Sequence, residues 1–142
     1  MIKVGDFMTR ELVTVRETDD LALADSILRL GGIRHLPVVR EGRLSGLLTQ
    51  RDLLRAGATG SAARAVLARD VMVSRLTTVT PDSSLAEAAQ IMLRHKFGCL
   101  PVCDGDGTLV GMVTESDFVR FAASVVQDLD VVQETVTTRA DA

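Results

Sequence analysis

Aromatic residues are scarce in this chain of 142 residues, which contains no tryptophan, no tyrosine and four phenylalanines. A cavity for a flat aromatic ligand would therefore be walled mainly by aliphatic side chains. The two cysteines, Cys99 and Cys103, stand four residues apart on a predicted strand. At ~3.3 Å per residue they would lie about 13 Å apart, which is too far for a disulfide. We expect both to be small core residues.

Long apolar runs and an excess of positive charge are also missing. No window approaches the roughly 18 apolar residues of a membrane span, and the first residues lack the apolar stretch of a secretory signal. We therefore expect a cytoplasmic protein with no membrane partner. The net charge of −3 argues against a nucleic-acid partner. The apolar share of 46% and the charged share of 25% are typical of a folded domain.

The chain contains two copies of one unit. An offset of 64 residues aligns a dozen identities, and an offset of 65, after one inserted residue in the turn at 104–107, aligns six more. The pattern predicts one repeat over residues 1–60, a second over 61–123, and an extension or tail over 124–142. The identities that matter most below are Asp6/Asp70, Met8/Met72, Gly46/Gly111, Thr49/Thr114 and Asp52/Asp117.

Each repeat has the pattern of a β-α-β-β-α unit. Short β-branched runs at 13–15 and 77–79 predict strands, and apolar stripes beginning at Leu21 and Leu85 predict helices. The pair Gly31-Gly32 predicts the end of the first of these helices. Hairpins and a last helix follow, and residues 57–61 and 62–68 suggest a flexible connector and a short helix. One such unit leaves a sheet face uncovered. We therefore predict an α/β (α+β) fold in which the two repeats pack sheet to sheet about a pseudo-two-fold axis that creates two equivalent clefts.

The motif Gly-x-x-Thr-x-x-Asp stands in both repeats where a strand meets a helix. One explanation is that the threonine and the aspartate form a capping box at the helix start. The other is that the carboxylate accepts hydrogen bonds from a vicinal diol, such as a ribose edge, while the threonine faces a phosphate. Recurrence favours the second. The motif residues are Gly46, Thr49 and Asp52, and Gly111, Thr114 and Asp117.

Together with the Leu-Pro-Val strands at 36–38 and 100–102 and the openings at 4–9 and 68–72, these motifs resemble a tandem pair of cystathionine-β-synthase (CBS) domains, a Bateman module. The resemblance covers about residues 4 to 120. It implies a stand-alone regulatory module, not an enzyme, that binds AMP, ADP, ATP, S-adenosylmethionine or NAD-type ligands in inter-repeat clefts. It also implies that no cofactor is required, that two copies pair as a homodimer through helices, and that an unknown protein is regulated.

Carried over by position, the resemblance assigns Asp52 and Asp117 to ribose hydroxyls and Thr49 and Thr114 to the phosphate. The loops before the two Leu-Pro strands would contact the base. They comprise Ile33, Arg34 and His35 in the first repeat and Phe97, Gly98 and Cys99 in the second.

Three assignments stay open or depend on charge. Asp6 and Asp70 either accept from an adenine amino group or cap a short helix. Phe97 either stacks on the base or packs in the core. The first repeat carries six arginines between residues 29 and 55, and its motif contains Arg51 where the second has Ser116. We therefore expect the cleft bordered by Arg34, His35 and Arg51 to bind the more phosphorylated ligand or to bind first.

Two further alternatives concern a metal and the C-terminus. His35 and His95 are not expected to bind a metal, because no further ligands recur at metal spacing. Val125, Leu129, Val132 and Val136 recur at helical spacing, which favours a helix to about Gln133 that contributes to a dimer contact over a frayed tail. The whole chain is then a ligand sensor or a structural module with empty clefts, and the intact motifs favour the sensor.

Overall fold

The computed structural model describes residues 1–57 and 60–141. The helices are α1 (Val4–Phe7), α2 (Leu21–Gly31), α3 (Gln50–Arg55), α4 (Ala68–Val71), α5 (Leu85–His95) and α6 (Glu115–Asp141). The strands are β1 (Val15–Arg16), β2 (Leu36–Arg40), β3 (Arg43–Leu48), β4 (Cys99–Cys103) and β5 (Leu109–Thr114). A 3-10 helix spans Gly60–Ala65, so the helix predicted over 62–68 is replaced by this turn and α4. Part of the predicted connector, residues 58 and 59, lies outside the described residues.

The two hairpins repeat each other in detail. Strands β2 and β3 pair antiparallel with Leu36 opposite Leu48, and β4 and β5 pair antiparallel with Cys99 opposite Thr114. Both hairpins shift register after the equivalent residues Val38 and Val102, as a β-bulge does. The duplication therefore extends to local backbone irregularities.

The first strand of each repeat is shorter than predicted. Strand β1 consists of two residues that pair in parallel with β2. In the second repeat the prediction of a strand over 77–79 is wrong, because only Val79 forms a bridge, to Val102 of β4. Pro81 follows two residues later and has no N–H to extend the pairing.

Caps fix the ends of the two long core helices. The Asp20 side chain accepts from Leu23 N at the start of α2, and the Ser84 side chain accepts from Glu87 N at the start of α5. Gly32 (φ 60°) ends α2 as predicted, and Lys96 (φ 57°) ends α5 in the same left-handed conformation. The loops that follow these caps are the ones expected to contact a ligand.

The hydrophobic core is divided into two clusters, one in each repeat. The opening segments are exchanged, because the opening segment of each repeat packs in the cluster of the other repeat. Ala63 and Ala68, from the second sequence repeat, pack with the first cluster around Leu36. Val4 and Met8, from the beginning of the chain, pack with the second cluster around Leu100. The sequence repeats therefore complete each other's cores.

Backbone hydrogen bonds join the repeats at several places. Thr9 pairs with Met112 of β5, and Val73 pairs with Leu47 of β3. The hairpin turns also meet, since Leu44 N donates to the Gly107 carbonyl at 3.2 Å. The predicted α+β arrangement of two packed repeats with pseudo-two-fold symmetry is confirmed.

Helix α6 runs eight residues beyond the predicted end at Gln133 and reaches Asp141. Every residue from Val119 to Asp141 is exposed. Within residues 1–57 and 60–141, no helix has both the length and the apolar character that a membrane span needs.

Candidate ligand-binding clefts

Two cavities of similar size lie where the repeats meet, in the part of the chain that the structure describes. Cleft A, with a volume of about 320 Å³, contains Thr114 and Asp117, and cleft B, with a volume of about 310 Å³, contains Thr49 and Asp52. Both volumes are at the lower end of the range for small-molecule sites.

Each cleft combines the motif of one repeat with the loop of the other. Residues 33–35 of the first repeat line cleft A, opposite the motif of the second repeat. Residues 97–99 of the second repeat line cleft B, opposite the motif of the first. A ligand in either cleft would therefore touch both repeats.

The carboxylate of cleft A is buried, and both of its oxygens accept hydrogen bonds. Asp117 is 8% exposed, and its Oδ2 accepts from the Thr114 backbone N–H at 2.9 Å. Its Oδ1 accepts from the Thr9 hydroxyl at 3.1 Å and from the Arg120 guanidinium at 2.6 Å. Asp117 N in turn donates to Thr114 Oγ1 at 3.3 Å, which completes a capping box. Asp117 thus caps α6 and also ties it to the opening segment of the chain.

The carboxylate of cleft B is half-buried and has one oxygen to spare. Asp52 Oδ2 accepts from the backbone N–H and the hydroxyl of Thr49, both at 2.9 Å. Asp52 N donates to Thr49 Oγ1 at 3.3 Å. Within the described residues, Asp52 Oδ1 accepts no hydrogen bond. The capping box is thus present in both repeats while both carboxylates line cavities, so the two explanations of the motif are compatible.

The motif glycines make room for the exchanged opening segments. A Cβ on Gly46 would lie 2.6 Å from the sulfur of Met72, and a Cβ on Gly111 would lie 2.5 Å from that of Met8. Atoms at these separations overlap, so neither position accepts a side chain without repacking. The motif begins with glycine because the opening methionine of the other repeat lies directly on the strand.

His35 and Gly98 separate the two clefts and line both of them. A Cβ on Gly98 would lie 2.8 Å from His35 Nε2, so the imidazole occupies the space that a side chain at Gly98 would need. Burial lowers the pKa of His35, the Glu115 carboxylate opposes this shift, and Arg34 adds to it. The environment of His35 therefore favours the neutral imidazole.

The Cys99 thiol is expected to be a weak nucleophile. Burial, and to a lesser extent Glu115, raise the pKa of Cys99 to about 12, so the thiolate is scarce near neutral pH. Cys99 and Cys103 are buried free thiols, as predicted.

The position of Phe97 is compatible with both of the roles left open for it. It lines cleft B and also packs against the second hydrophobic cluster. Its ring stacks on that of His95 with a centroid separation of 5.2 Å.

The two opening aspartates lie outside both clefts. Asp6 accepts from the Lys3 backbone N–H at 3.1 Å, and Asp70 accepts from the Leu67 backbone N–H at 3.2 Å. Neither lines cleft A or cleft B. The structure therefore favours the capping alternative, and we leave both residues out of the site.

The expected charge distribution is corrected by the structure. Arg34 lines cleft A, Arg51 lines cleft B, and only His35 borders both, so the predicted single cleft with all three residues does not form. The charge of a sequence repeat does not carry over to a cleft, because each cleft takes its walls from both repeats.

Sequence reasoning also missed several charged wall residues. Glu11 in cleft A and Arg75 in cleft B follow the opening segments and align with each other at the offset of 64. Lys96, the C-cap of α5, also lines cleft B. The self-alignment of the sequence gives the positions of these residues in the repeat. It does not show which cleft they line, because that depends on the exchange of the opening segments.

No group of three or more histidine, cysteine, aspartate or glutamate residues is arranged to hold a metal ion in the described part of the chain.

Twin clefts at a pseudo-two-fold axis, each with a capped threonine–aspartate pair facing a loop of the other repeat, define a paired-repeat module. The CBS domain family model matches residues 4–59 and 68–124. The chain therefore belongs to the CBS domain family, and it contains a tandem pair.

Curated relatives differ in how much of their length the chain covers. The CBS domain-containing protein YhcV of Bacillus subtilis is 35% identical over 118 residues, which are 82% of this chain and 83% of YhcV. Inosine-5'-monophosphate dehydrogenase of Korarchaeum cryptofilum and homoserine O-acetyltransferase of Methanohalophilus mahii are 37% and 36% identical over 115 residues. Those 115 residues are about 80% of this chain, but the match spans only 23% of either enzyme.

Solved structures share the fold over nearly the whole chain. AcuB from Vibrio cholerae is 40% identical, with a TM-score of 0.82 over 92% of this chain and 96% of AcuB. CBSX2, a CBS-pair protein from Arabidopsis thaliana, solved in complex with AMP, is 31% identical, with a TM-score of 0.76 over 87% and 97%. The CBS pair of protein MJ0100, in complex with 5'-methylthioadenosine and S-adenosyl-L-methionine, is 27% identical, with a TM-score of 0.75 over 87% and 97%.

Proposed function

We propose that this chain is a regulatory module that binds an adenosine-containing ligand in the clefts between its two repeats. The observation that carries the proposal is Asp52 in cleft B. Its Oδ2 is held by Thr49, while its Oδ1 is left to accept from a ligand. A carboxylate fixed in this way is suited to a ribose hydroxyl. The AMP complex of CBSX2 and the S-adenosylmethionine complex of MJ0100 support adenosine as the common part of the ligand.

The walls of cleft B suit the remaining parts of such a ligand. Leu47, Val73 and Leu76 provide aliphatic surface for a flat base, and Phe97 is the aromatic residue beside them. Arg51 and Arg75 lie on the same cavity and supply cationic donors for a phosphate. This cleft therefore offers a separate chemical environment to the base, the sugar and the phosphate.

Binding would act on the arrangement of the repeats. The walls of each cleft come from both repeats, so a ligand that fits one relative orientation better stabilises that orientation. A regulated partner protein that binds the same orientation would then gain affinity by the same coupling free energy.

A ligand screen tests this function. AMP, ADP, ATP, S-adenosylmethionine and NAD are added in turn while unfolding is followed by circular dichroism. A ligand at 100 times its dissociation constant should stabilise the fold by about 2.7 kcal/mol. Asp52→Asn should weaken binding about tenfold or more. Asp70→Asn, which changes an equivalent cap outside both clefts, is the matched control and should bind normally.

The alternative function predicts a different result. A structural module with empty clefts would show no stabilisation by any of these ligands, and Asp52→Asn would then differ from wild type only in stability.

We also propose that the partner of α6 is a second copy of this chain. Val125, Leu129, Val132 and Val136 are between 39% and 61% exposed. Their spacing of four, three and four residues is that of the seam in a two-helix coiled coil. An isolated helix gains little stability in water, so this long exposed helix needs a second apolar surface. A second α6 supplies a seam of the same spacing.

Solution mass tests the dimer. Deletion of residues 124–142 should reduce the mass of the particle to that of a monomer in light scattering. Leu129→Glu should have the same effect, because it places a charge on the seam. Gln127→Glu lies on the opposite face of α6 and is the matched control. An unchanged mass for both the deletion and Leu129→Glu would contradict the proposal.

A further inference from the structure

The duplication provides an internal comparison of the two clefts, because wall positions in one cleft have counterparts in the other at an offset of 64 or 65 residues. At three of these positions cleft B gains positive charge. Arg51, Arg75 and Lys96 in cleft B correspond to Ser116, Glu11 and Gly32 in cleft A. At one position the difference is reversed, since Arg34 in cleft A corresponds to Gly98.

The charges of the walls consequently have opposite balance. Cleft B contains four cationic side chains and one carboxylate, namely Arg51, Arg55, Arg75, Lys96 and Asp52. Cleft A contains two cationic side chains and three carboxylates, namely Arg34, Arg120, Glu11, Glu115 and Asp117.

The equivalent arginines Arg55 and Arg120 are also in different states. Arg120 is paired with Asp117 at 2.6 Å. Arg55 forms no salt bridge among the described residues, so its guanidinium is available to an anionic ligand. A diol hydroxyl that reaches Oδ1 of Asp117 shares this oxygen with Arg120 and with the Thr9 hydroxyl. The counterpart of Thr9 is Val73, which has no hydroxyl to engage Asp52.

We propose that the two clefts select ligands by the charge of the 5' group. Cleft B takes an adenosine ligand that carries a phosphate chain, and cleft A takes an adenosine ligand whose 5' group is uncharged or cationic. This inference rests on the proposed function and adds the ligand class of each cleft. The physical basis is electrostatic. Each unpaired cationic side chain attracts an added phosphate and each carboxylate repels it, and these effects add within one small cavity.

Calorimetric titration of the two clefts separately tests the selection. Asp117→Asn weakens cleft A and leaves cleft B to be measured, and Asp52→Asn does the converse. The probes are ATP, AMP and 5'-methylthioadenosine. Cleft B should bind ATP about tenfold or more tightly than 5'-methylthioadenosine, and cleft A should show the reverse order. Raising the salt concentration should weaken ATP binding to cleft B and leave 5'-methylthioadenosine binding nearly unchanged.

Variants in which a wall residue is replaced by its counterpart from the other cleft provide a matched test. Arg51→Ser should weaken ATP binding to cleft B about tenfold and leave 5'-methylthioadenosine binding unchanged. Ser116→Arg should strengthen ATP binding to cleft A several-fold. Arg75→Glu, which installs the charge of its counterpart Glu11, repeats the test at a second wall position. It should weaken ATP binding to cleft B more than Arg51→Ser does.

The possible failures are distinguishable. Equal affinity of both clefts for ATP and 5'-methylthioadenosine would overturn the selection by charge but leave the proposed function standing. An equal loss of both ligands in Arg51→Ser and in Arg75→Glu would also overturn it, since the charge would then not act on the 5' group. Absence of binding by these three probes and by ADP, S-adenosylmethionine and NAD would overturn the proposed function itself.

Discussion

Replacement of Asp117 by alanine should destabilise the fold more than replacement of Asp52, although the two residues are equivalent in the repeat. Both changes remove a capping box at a helix start. Asp117 is in addition the acceptor for the Thr9 hydroxyl, 108 residues away in sequence, and for Arg120. Asp52 has no acceptor role outside its own box in the described part of the chain.

The magnitude follows from these partners. Loss of the cap costs about 1 kcal/mol in either variant. Loss of the hydrogen bond from Thr9 costs about 1 kcal/mol more. The pair with Arg120, whose side chain is 72% exposed, adds less than about 1 kcal/mol because solvent screens it. We therefore expect a loss of about 2 to 3 kcal/mol for Asp117→Ala and about 1 kcal/mol for Asp52→Ala.

Urea unfolding is the appropriate assay, and it has to be followed by circular dichroism because the chain has no tryptophan or tyrosine for fluorescence. Thr9→Val removes only the hydroxyl donor and installs a side chain like that of its counterpart Val73. It should cost about 1 kcal/mol alone and much less in the Asp117→Ala background, as a double-mutant cycle of a direct contact requires. Equal losses for Asp52→Ala and Asp117→Ala, or additive effects of Thr9→Val and Asp117→Ala, would refute this reasoning.

Two further predictions concern the buried side chains between and behind the clefts. Burial lowers the pKa of His35 below its ordinary value of 6.5, so the unfolded chain takes up a proton more readily than the folded chain. The free energy of unfolding should therefore fall as the pH drops below about 6.5. In urea titrations at about pH 7.5 and 5.5, His35→Gln should reduce this dependence of the free energy of unfolding on pH. Burial also raises the pKa of Cys99 to about 12 and that of Cys103 above its usual value. At about pH 8 a thiol reagent should therefore label neither cysteine in the native protein and both cysteines in urea. Rapid labelling of Cys99 in the native protein would contradict the structure.

Local patterns predicted the elements of each repeat well, because caps and apolar stripes act within a few residues. The apolar stripes at Leu21 and Leu85 and the left-handed end at Gly32 are found where the sequence placed them. The strand over 77–79 failed for a reason that the sequence contained, since Pro81 removes a backbone donor beside a single bridge at Val79.

The composition of the clefts could not be predicted from the repeat. Self-alignment shows that Met8 is equivalent to Met72 and Gly46 to Gly111, but it does not show which methionine lies on which glycine. Contact within one repeat and exchange between repeats give identical sequence patterns, because equivalent residues present the same surfaces.

The exchange of opening segments gives this chain two clefts with different walls from one duplicated unit. Had each opening segment remained with its own repeat, Glu11 would lie beside the first motif, with Arg51. In the observed fold Glu11 faces the motif that contains Ser116, and Arg75 faces the motif that contains Arg51. Positive charges are therefore concentrated in cleft B, and carboxylates are concentrated in cleft A. Differences between the repeats at a few positions, which the exchange brings together, are sufficient to give equivalent cavities walls of opposite charge balance, and this balance is the basis of the proposed selection by charge.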